Sequence, residues 1–215
     1  MGQLTEFFMK SAGGPPPGMG FSMPMMKGWV PRHVQPWLYV LTALCFQFSG
    51  GIYLGALDGI RGTTNFMIED ILFLLYATLA GMAVYFPILF RMKFRFTNKQ
   101  LLCGSAIVLA ICNVLTMHCQ SMHVLMIVCF IAGMAKIQGT FECMSNIQLW
   151  ITPRRDFAVF FPVLHIILLT AIEGSGWLAA WFGHHFTWQM MHVFTIGTMS
   201  FVLLTQAIFL SLIHI

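Results

Sequence analysis

Six apolar stretches separated by short polar connectors govern what this chain can become. They run at about residues 36–60, 66–90, 100–118, 122–151, 157–183 and 188–213. A helix crosses about 30 Å of hydrocarbon in about 20 residues, so each stretch is long enough to span a bilayer. Inside lipid, backbone N–H and C=O groups must be paired within the spanning segment, which makes helices the form such stretches adopt. The charge content agrees. Of 215 residues, 58% are hydrophobic and 8% are Asp, Glu, Lys or Arg, whereas a water-facing domain carries about a quarter. The expected fold is all-α: an integral membrane six-helix bundle over residues 35–215, its short connectors joining antiparallel neighbours. Trp37, Trp150, Trp181 and Trp188 fall near the ends of the stretches, where amphipathic rings favour the membrane interface.

Residues 1–34 differ. "SAGGPPPGMGFSMPMMKG" is rich in Gly, Pro and Met, and its prolines oppose a helix. It has no apolar core of signal-peptide length. Glu6 stands where a myristoylation motif needs Ser or Thr. The expectation is a flexible cytoplasmic tail.

The basic residues orient the bundle. Lys10, Lys27 and Arg32 precede the first stretch, Arg91, Lys93, Arg95 and Lys99 lie between the second and third, and Arg154 and Arg155 between the fourth and fifth. Only Arg61 falls on the opposite side, and Lys136 lies within the fourth stretch. The positive-inside rule makes the crowded side cytoplasmic. An even number of crossings follows, with both ends on that side, and the expected location is the cell (inner) membrane. The formal net charge of +4 is modest, and no aromatic-basic alternation points to nucleic acid.

Six cysteines are scattered through the apolar stretches with no C-x-x-C pair, so they read as small hydrophobes. His118 and His123 are five apart across a connector, and His184 and His185 are adjacent. Neither spacing is that of a helical metal site. No catalytic residue, metal or cofactor is expected.

Ionised groups inside the stretches are the candidate functional residues. A charge at mid-membrane costs about 2.5–3.5 kcal/mol on insertion scales, so such groups face a cavity or a partner. Lys136, Glu142 and Glu173 are three of them. Lys136 and Glu142 point about 120° apart on a helix and need not pair, whereas Gln138 and Glu142, four apart, share a face. Lys136 shares its face with Gly133 and Thr140, giving the fourth helix a polar, small-residue side suited to a wet interior. Glu142 is expected to approach the cytoplasmic end and reach out of the membrane there. Asp58, Glu69 and Asp70 are expected near the outer interface. Gly51, Gly55 and Gly59 recur at every fourth position and strip one face for close helix contact. Gly139 and the small residues of "EGSGWLAA", with Gly174 and Gly176 beside Glu173, extend that packing. Pro162 is placed to kink the fifth helix.

The fourth to sixth stretches resemble the major facilitator superfamily, nearest its multidrug:proton antiporter branch. That family carries R-x-x-Q-G in its fourth helix, and Gln138 and Gly139 match the Q-G. The register puts Ala135 at the family's arginine, with Lys136 next to it. Pro153, Arg154 and Arg155 resemble its P-x-x-x-R loop, and Trp188 its entry to the sixth helix. In the second-to-third connector, "FPILFRMKFR" keeps basic residues at Arg91, Lys93 and Arg95 without the family's glycines and aspartate. The motifs cover about residues 130–195.

The resemblance implies the N-terminal half of a carrier, built as two three-helix inverted repeats. Its function would be secondary active transport of a small solute by alternating access, with proton-coupled efflux as one form. Lys136, Gln138, Thr140, Glu142 and Glu173 are the expected substrate or proton pathway, and Glu173 a candidate protonatable group. The expected partners are lipid, the solute, protons where coupled, and a C-terminal half missing from this sequence. The final "LSLIHI" matches the translation of a common transposase sequencing adapter, so a cut within a longer reading frame is expected. Two other classes stay open: a histidine-using multi-pass membrane enzyme, and an accessory or structural membrane subunit whose buried charges are docking pairs.

Overall fold

A computed structural model describes residues 34–48, 52–64, 66–151 and 157–209. The N-terminal tail, Gly51, Pro153, Arg154, Arg155 and the last six residues lie outside them. The described residues form eight helices and no strand. These are α1 (Gln35–Gln47), α2 (Ile52–Gly55), α3 (Leu57–Thr63), α4 (Ile68–Arg95), α5 (Asn98–His118), α6 (Met122–Ile151), α7 (Phe157–His185) and α8 (Gln189–Phe209). The last five are each long and apolar enough to cross a membrane, which makes this a multi-pass membrane protein.

The first apolar stretch departs from the single helix expected over 36–60. It is divided into α1, α2 and α3. The cause is local: "IYLGALDGIRG" places glycines at 55, 59 and 62, and each interior glycine lowers helix stability by about 1 kcal/mol relative to alanine. Between α2 and α3, Ala56 leaves helical geometry at φ −104°, ψ 17°. The segment still follows one course along the bundle. Phe46 packs on Gly139, Gln47 donates to Thr140 at 2.9 Å, and Tyr53 contacts the Cys129 thiol at 2.9 Å. As α1 and α2 ascend in number, their partners on α6 descend, so the segment runs antiparallel to α6.

Helix starts follow from capping. Thr97 Oγ1 accepts from the Gln100 N–H at 3.2 Å, and Gln100 Oε1 accepts from the Thr97 N–H at 3.1 Å, a capping box that opens α5. Asp70 closes the start of α4 by accepting from the Met67 N–H at 3.0 Å. This gives one of the three carboxylates expected near the outer interface a structural task. Asp58 and Glu69 are exposed.

The connectors alternate between the two ends of the bundle. Thr63, Thr64, Phe66, Met117, Gln120, Trp188 and Gln189 line one cavity of about 90 Å³. The connections α3–α4, α5–α6 and α7–α8 therefore meet at one end. Trp188 Nε1 donates to Thr63 Oγ1 at 2.7 Å across that end. The opposite end carries Arg91, Lys93, Arg95 and Lys99.

Helix α6 is the central strut, packed against α1, α4 and α5, while α5 packs on α8 and α2 on α7. Half of its membrane-length window is buried within the bundle, against 17% for α4 and for α7. Two apolar clusters stack along it. One, around Phe46, Leu102, Ile147 and Met199, fills the basic half; the other, around Ile52, Ile71, Leu125 and Met191, fills the opposite half. Close backbone approach sets the helix spacing. A side chain at Gly81 would run into the Phe130 carbonyl, and one at Gly133 into the Thr78 carbonyl, so α4 and α6 touch through reciprocal glycines. Gly55 meets the Gly176 carbonyl in the same way, joining α2 to α7. Gly59 lies against Trp188, whose Cβ is 3.5 Å from where its own would be. Gly174 is not at such a contact: nothing lies within 4 Å of its Cβ position.

Candidate functional site

Helix α6 lines up five buried polar side chains: Lys136 at 4% exposure, Gln138 at 4%, Thr140 at 6%, Glu142 at 0% and Asn146 at 1%. They fall into two groups, because the helix turns Lys136 and Glu142 to different neighbours.

The first group lies toward the basic end. Gln138 Nε2 donates to Glu142 Oε1 at 3.2 Å, the four-residue pairing that their spacing predicts. Glu142 Oε2 lies 3.4 Å from Lys93 Nζ, and the Lys93 ammonium sits 5.5 Å from the centre of the Phe141 ring. The expectation that Glu142 reaches out at the cytoplasmic end is corrected here, since its carboxylate is fully enclosed. The reason is the direction of Lys93. A helical side chain tilts toward the N-terminus of its helix, so Lys93, in the last turn of α4, is directed back into the bundle. It brings the cation to the carboxylate. Lys93 is thus a partner of the buried cluster as well as a residue of the basic end, whereas Arg91 and Arg95 are exposed. Tyr39 Oη, Gln138 Oε1 and Asn146 Nδ2 are buried without a hydrogen-bond partner, so this half of the bundle holds unsatisfied donor and acceptor capacity.

The second group surrounds Lys136. Six residues from Glu142, or about 9 Å along the axis, it lines an internal cavity of about 30 Å³ with Tyr53, Asn113, Thr116 and His192. The cavity falls where the two apolar clusters meet, touching Leu109 of one and Ile52 of the other. Lys136 forms no ion pair or hydrogen bond among the described residues. Thr140, on the same helix, accepts from Gln47 Nε2 at 2.9 Å and ties α1 to α6.

Glu173 is not part of either group. It is exposed on the outer face of α7, eight residues into the His165–His185 span, about 12 Å along the axis at 1.5 Å per residue. The structure thus brings Lys136, Gln138, Thr140 and Glu142 onto the central helix and leaves Glu173 on the bundle surface. His118, His123, His184 and His185 are exposed toward the far end, with His185 stacked on Trp181 at 4.9 Å between ring centroids.

His192 and Asn113 are site residues that sequence reasoning missed. Each is a lone polar residue in an apolar run, "MMHVF" and "AICNVL", and the pair is joined only through the packing of α5 on α8. Their isolation among hydrophobes is the one trace the sequence holds of them.

No protein family and no curated protein matches this chain.

Proposed function

We propose that this chain is a secondary active carrier of a small solute working by alternating access, organised as the six-crossing N-terminal half of a major-facilitator-type transporter. Lys136 is the observation that carries the reading. A lysine enclosed at mid-bundle, unpaired with any acid among the described residues, and facing an internal cavity is costly to keep for packing alone. It fits a site that receives a solute group or a proton. The Lys93–Glu142–Gln138 cluster, about 9 Å further along α6, supplies a second set of polar groups between α4 and α6.

Two features of the packing support the six-crossing form. The antiparallel course of α1 and α2 along α6, continued by α3 against α4 and α7, amounts to a sixth crossing made of short helices. Counting that broken crossing as the first, the second packs on the fourth through Gly81 and Gly133 as the first packs on the fifth through Gly55 and Gly176. The third also packs on the sixth, and the first on the fourth. This is the pattern of contacts that two inverted three-helix repeats would make. In this reading the basic end and the N-terminus are cytoplasmic in the cell (inner) membrane, and a second half of the carrier covers Glu173.

The test is transport by the full-length protein in proteoliposomes, with a panel of labelled small solutes and an internal pH dye. Lys136→Ala lowers transport about tenfold or more, the scale of one charge-assisted contact worth roughly 1.5–3 kcal/mol, with membrane insertion unchanged. Transport at the parent rate removes Lys136 from the site.

A further inference from the structure

The outer face of α7 carries an acid that the bundle leaves without a partner. Glu173 is exposed, and it forms no ion pair or hydrogen bond among the described residues. It lies within the His165–His185 span, about 12 Å from one end and about 18 Å from the other at 1.5 Å per residue. A glutamate stem is too short to lift its charge from that depth to either interface, as a long lysine or arginine does near a helix end. The surroundings are apolar. Ile166, Leu169, Ile172 and Trp177 are exposed on the same helix, and only 17% of its membrane-length window is buried within the bundle. Thr170, Glu173 and Trp177 follow one another at three and four residues, so they form one stripe on the helix surface, and all three are exposed. A charge at this depth is costly against acyl chains and is kept where a partner meets it.

We infer that this stripe docks a transmembrane helix bearing a lysine or arginine at the depth of Glu173, and that the helix belongs to the second half of the carrier. The charge complementarity follows from Glu173 itself; the source of the helix rests on the carrier reading. A second copy of this chain fits the face poorly. A two-fold contact through α7 would set Glu173 against its own copy, like charge against like. A contact through another face finds no cation to offer. Among the described residues, the lysines and arginines within the five spans are Lys99, in the first turn of α5 at the basic end, and Lys136, which is enclosed in the bundle. Arg61, Arg91, Lys93 and Arg95 lie beyond the spans. The cation that meets Glu173 therefore comes from a helix other than those described. Seated on Thr170, Glu173 and Trp177, that helix would cover the acid and the apolar side chains beside it together, and the pair would form out of contact with water, where a charge-assisted contact is strong.

The experiment is fluorescence energy transfer in liposomes between the whole chain and a synthetic leucine-rich transmembrane peptide with one lysine at its centre. Peptides with leucine or asparagine at that position are the comparison. The lysine peptide is expected to associate about tenfold more tightly than the leucine peptide, the scale of one interhelical polar contact in a membrane. Glu173→Gln, a change on the bundle surface, removes the preference, and Glu173→Lys transfers it to a peptide with a central glutamate. Equal association of the lysine and leucine peptides overturns the inference. An asparagine peptide that matches the lysine one overturns it too, since the carboxyl then acts as a neutral group. Energy transfer between two labelled copies of the chain, abolished by Glu173→Gln, gives the face to self-association and overturns it as well. The full-length carrier, with its own helix in place, is expected to leave the lysine peptide unbound; binding there overturns the second half as the source. A lysine preference in a protein whose full-length form transports no solute supports the charged docking face and sinks the carrier reading instead. Transport that depends on Lys136 with no lysine preference at Glu173 sinks the docking face and leaves the carrier standing.

Discussion

Lys93 and Glu142 meet at 3.4 Å between Nζ and Oε2, with the carboxylate side chain wholly enclosed and the lysine side chain 22% exposed. The pair joins the end of α4 to the central helix and leaves Lys136 without an acidic partner among the described residues. Breaking a buried pair from one side strands the other charge, at about 3–5 kcal/mol. Because Lys93 keeps some contact with solvent, Lys93→Met is expected at the lower end of that range, about 3 kcal/mol. Thermal unfolding of the purified protein in detergent reads this as a lowered Tm. The double variant Lys93→Met with Glu142→Gln recovers most of the loss, since no charge is then left alone. A double variant no better than the single one would refute the pairing.

Gly55 and Gly174 both belong to the small-residue positions of the sequence, but only one bears on a neighbour. Gly55→Ala drives a methyl group into the Gly176 carbonyl, which is backbone and cannot swing aside. Overpacking of this kind costs about 1–3 kcal/mol. Gly174→Ala enters open space, and alanine favours the helix by up to about 1 kcal/mol. Thermal unfolding is expected to show a fall for Gly55→Ala and no fall for Gly174→Ala. Equal effects would mean that α2 and α7 do not touch at Gly55.

How far the chain could be read without coordinates depends on the kind of information each element carries. The five long helices were legible because lipid demands about 20 apolar residues in a row, and their ends are marked by polar connectors such as Thr97–Gln100. Gln138 and Glu142 were legible as neighbours because four residues on one helix fix their geometry. Glu173 was not. A helix that is apolar all round, as α7 nearly is, has no face to read from its periodicity. Its carboxylate could equally have pointed inward. Lys93 and Glu142 are 49 residues apart, and His192 and Asn113 are 79 apart. Pairings of that range depend on which helices are neighbours, which a single sequence does not encode locally. The division of the first stretch was half visible: its glycine spacing announced close contact, whereas the interruption between α2 and α3 at Ala56 needed coordinates.

The distribution of basic residues predicts an orientation of the bundle, and exposed positions at each end test it. Glu69 is exposed beside the α3–α4 connection, and Arg95 is exposed at the end of α4, on the basic side. In a background with the half-buried Cys103 and Cys119 replaced by serine, Glu69→Cys and Arg95→Cys each introduce one accessible thiol. Because Lys and Arg are retained on the cytoplasmic side, a membrane-impermeant maleimide applied to intact cells is expected to label Glu69→Cys at once. It labels Arg95→Cys only after permeabilisation. The two sites bracket the full length of α4, so opposite labelling also establishes that this helix crosses the bilayer. Labelling of both from outside would refute that crossing. The reverse order would invert the bundle and place the Lys93–Glu142 pair toward the outer face.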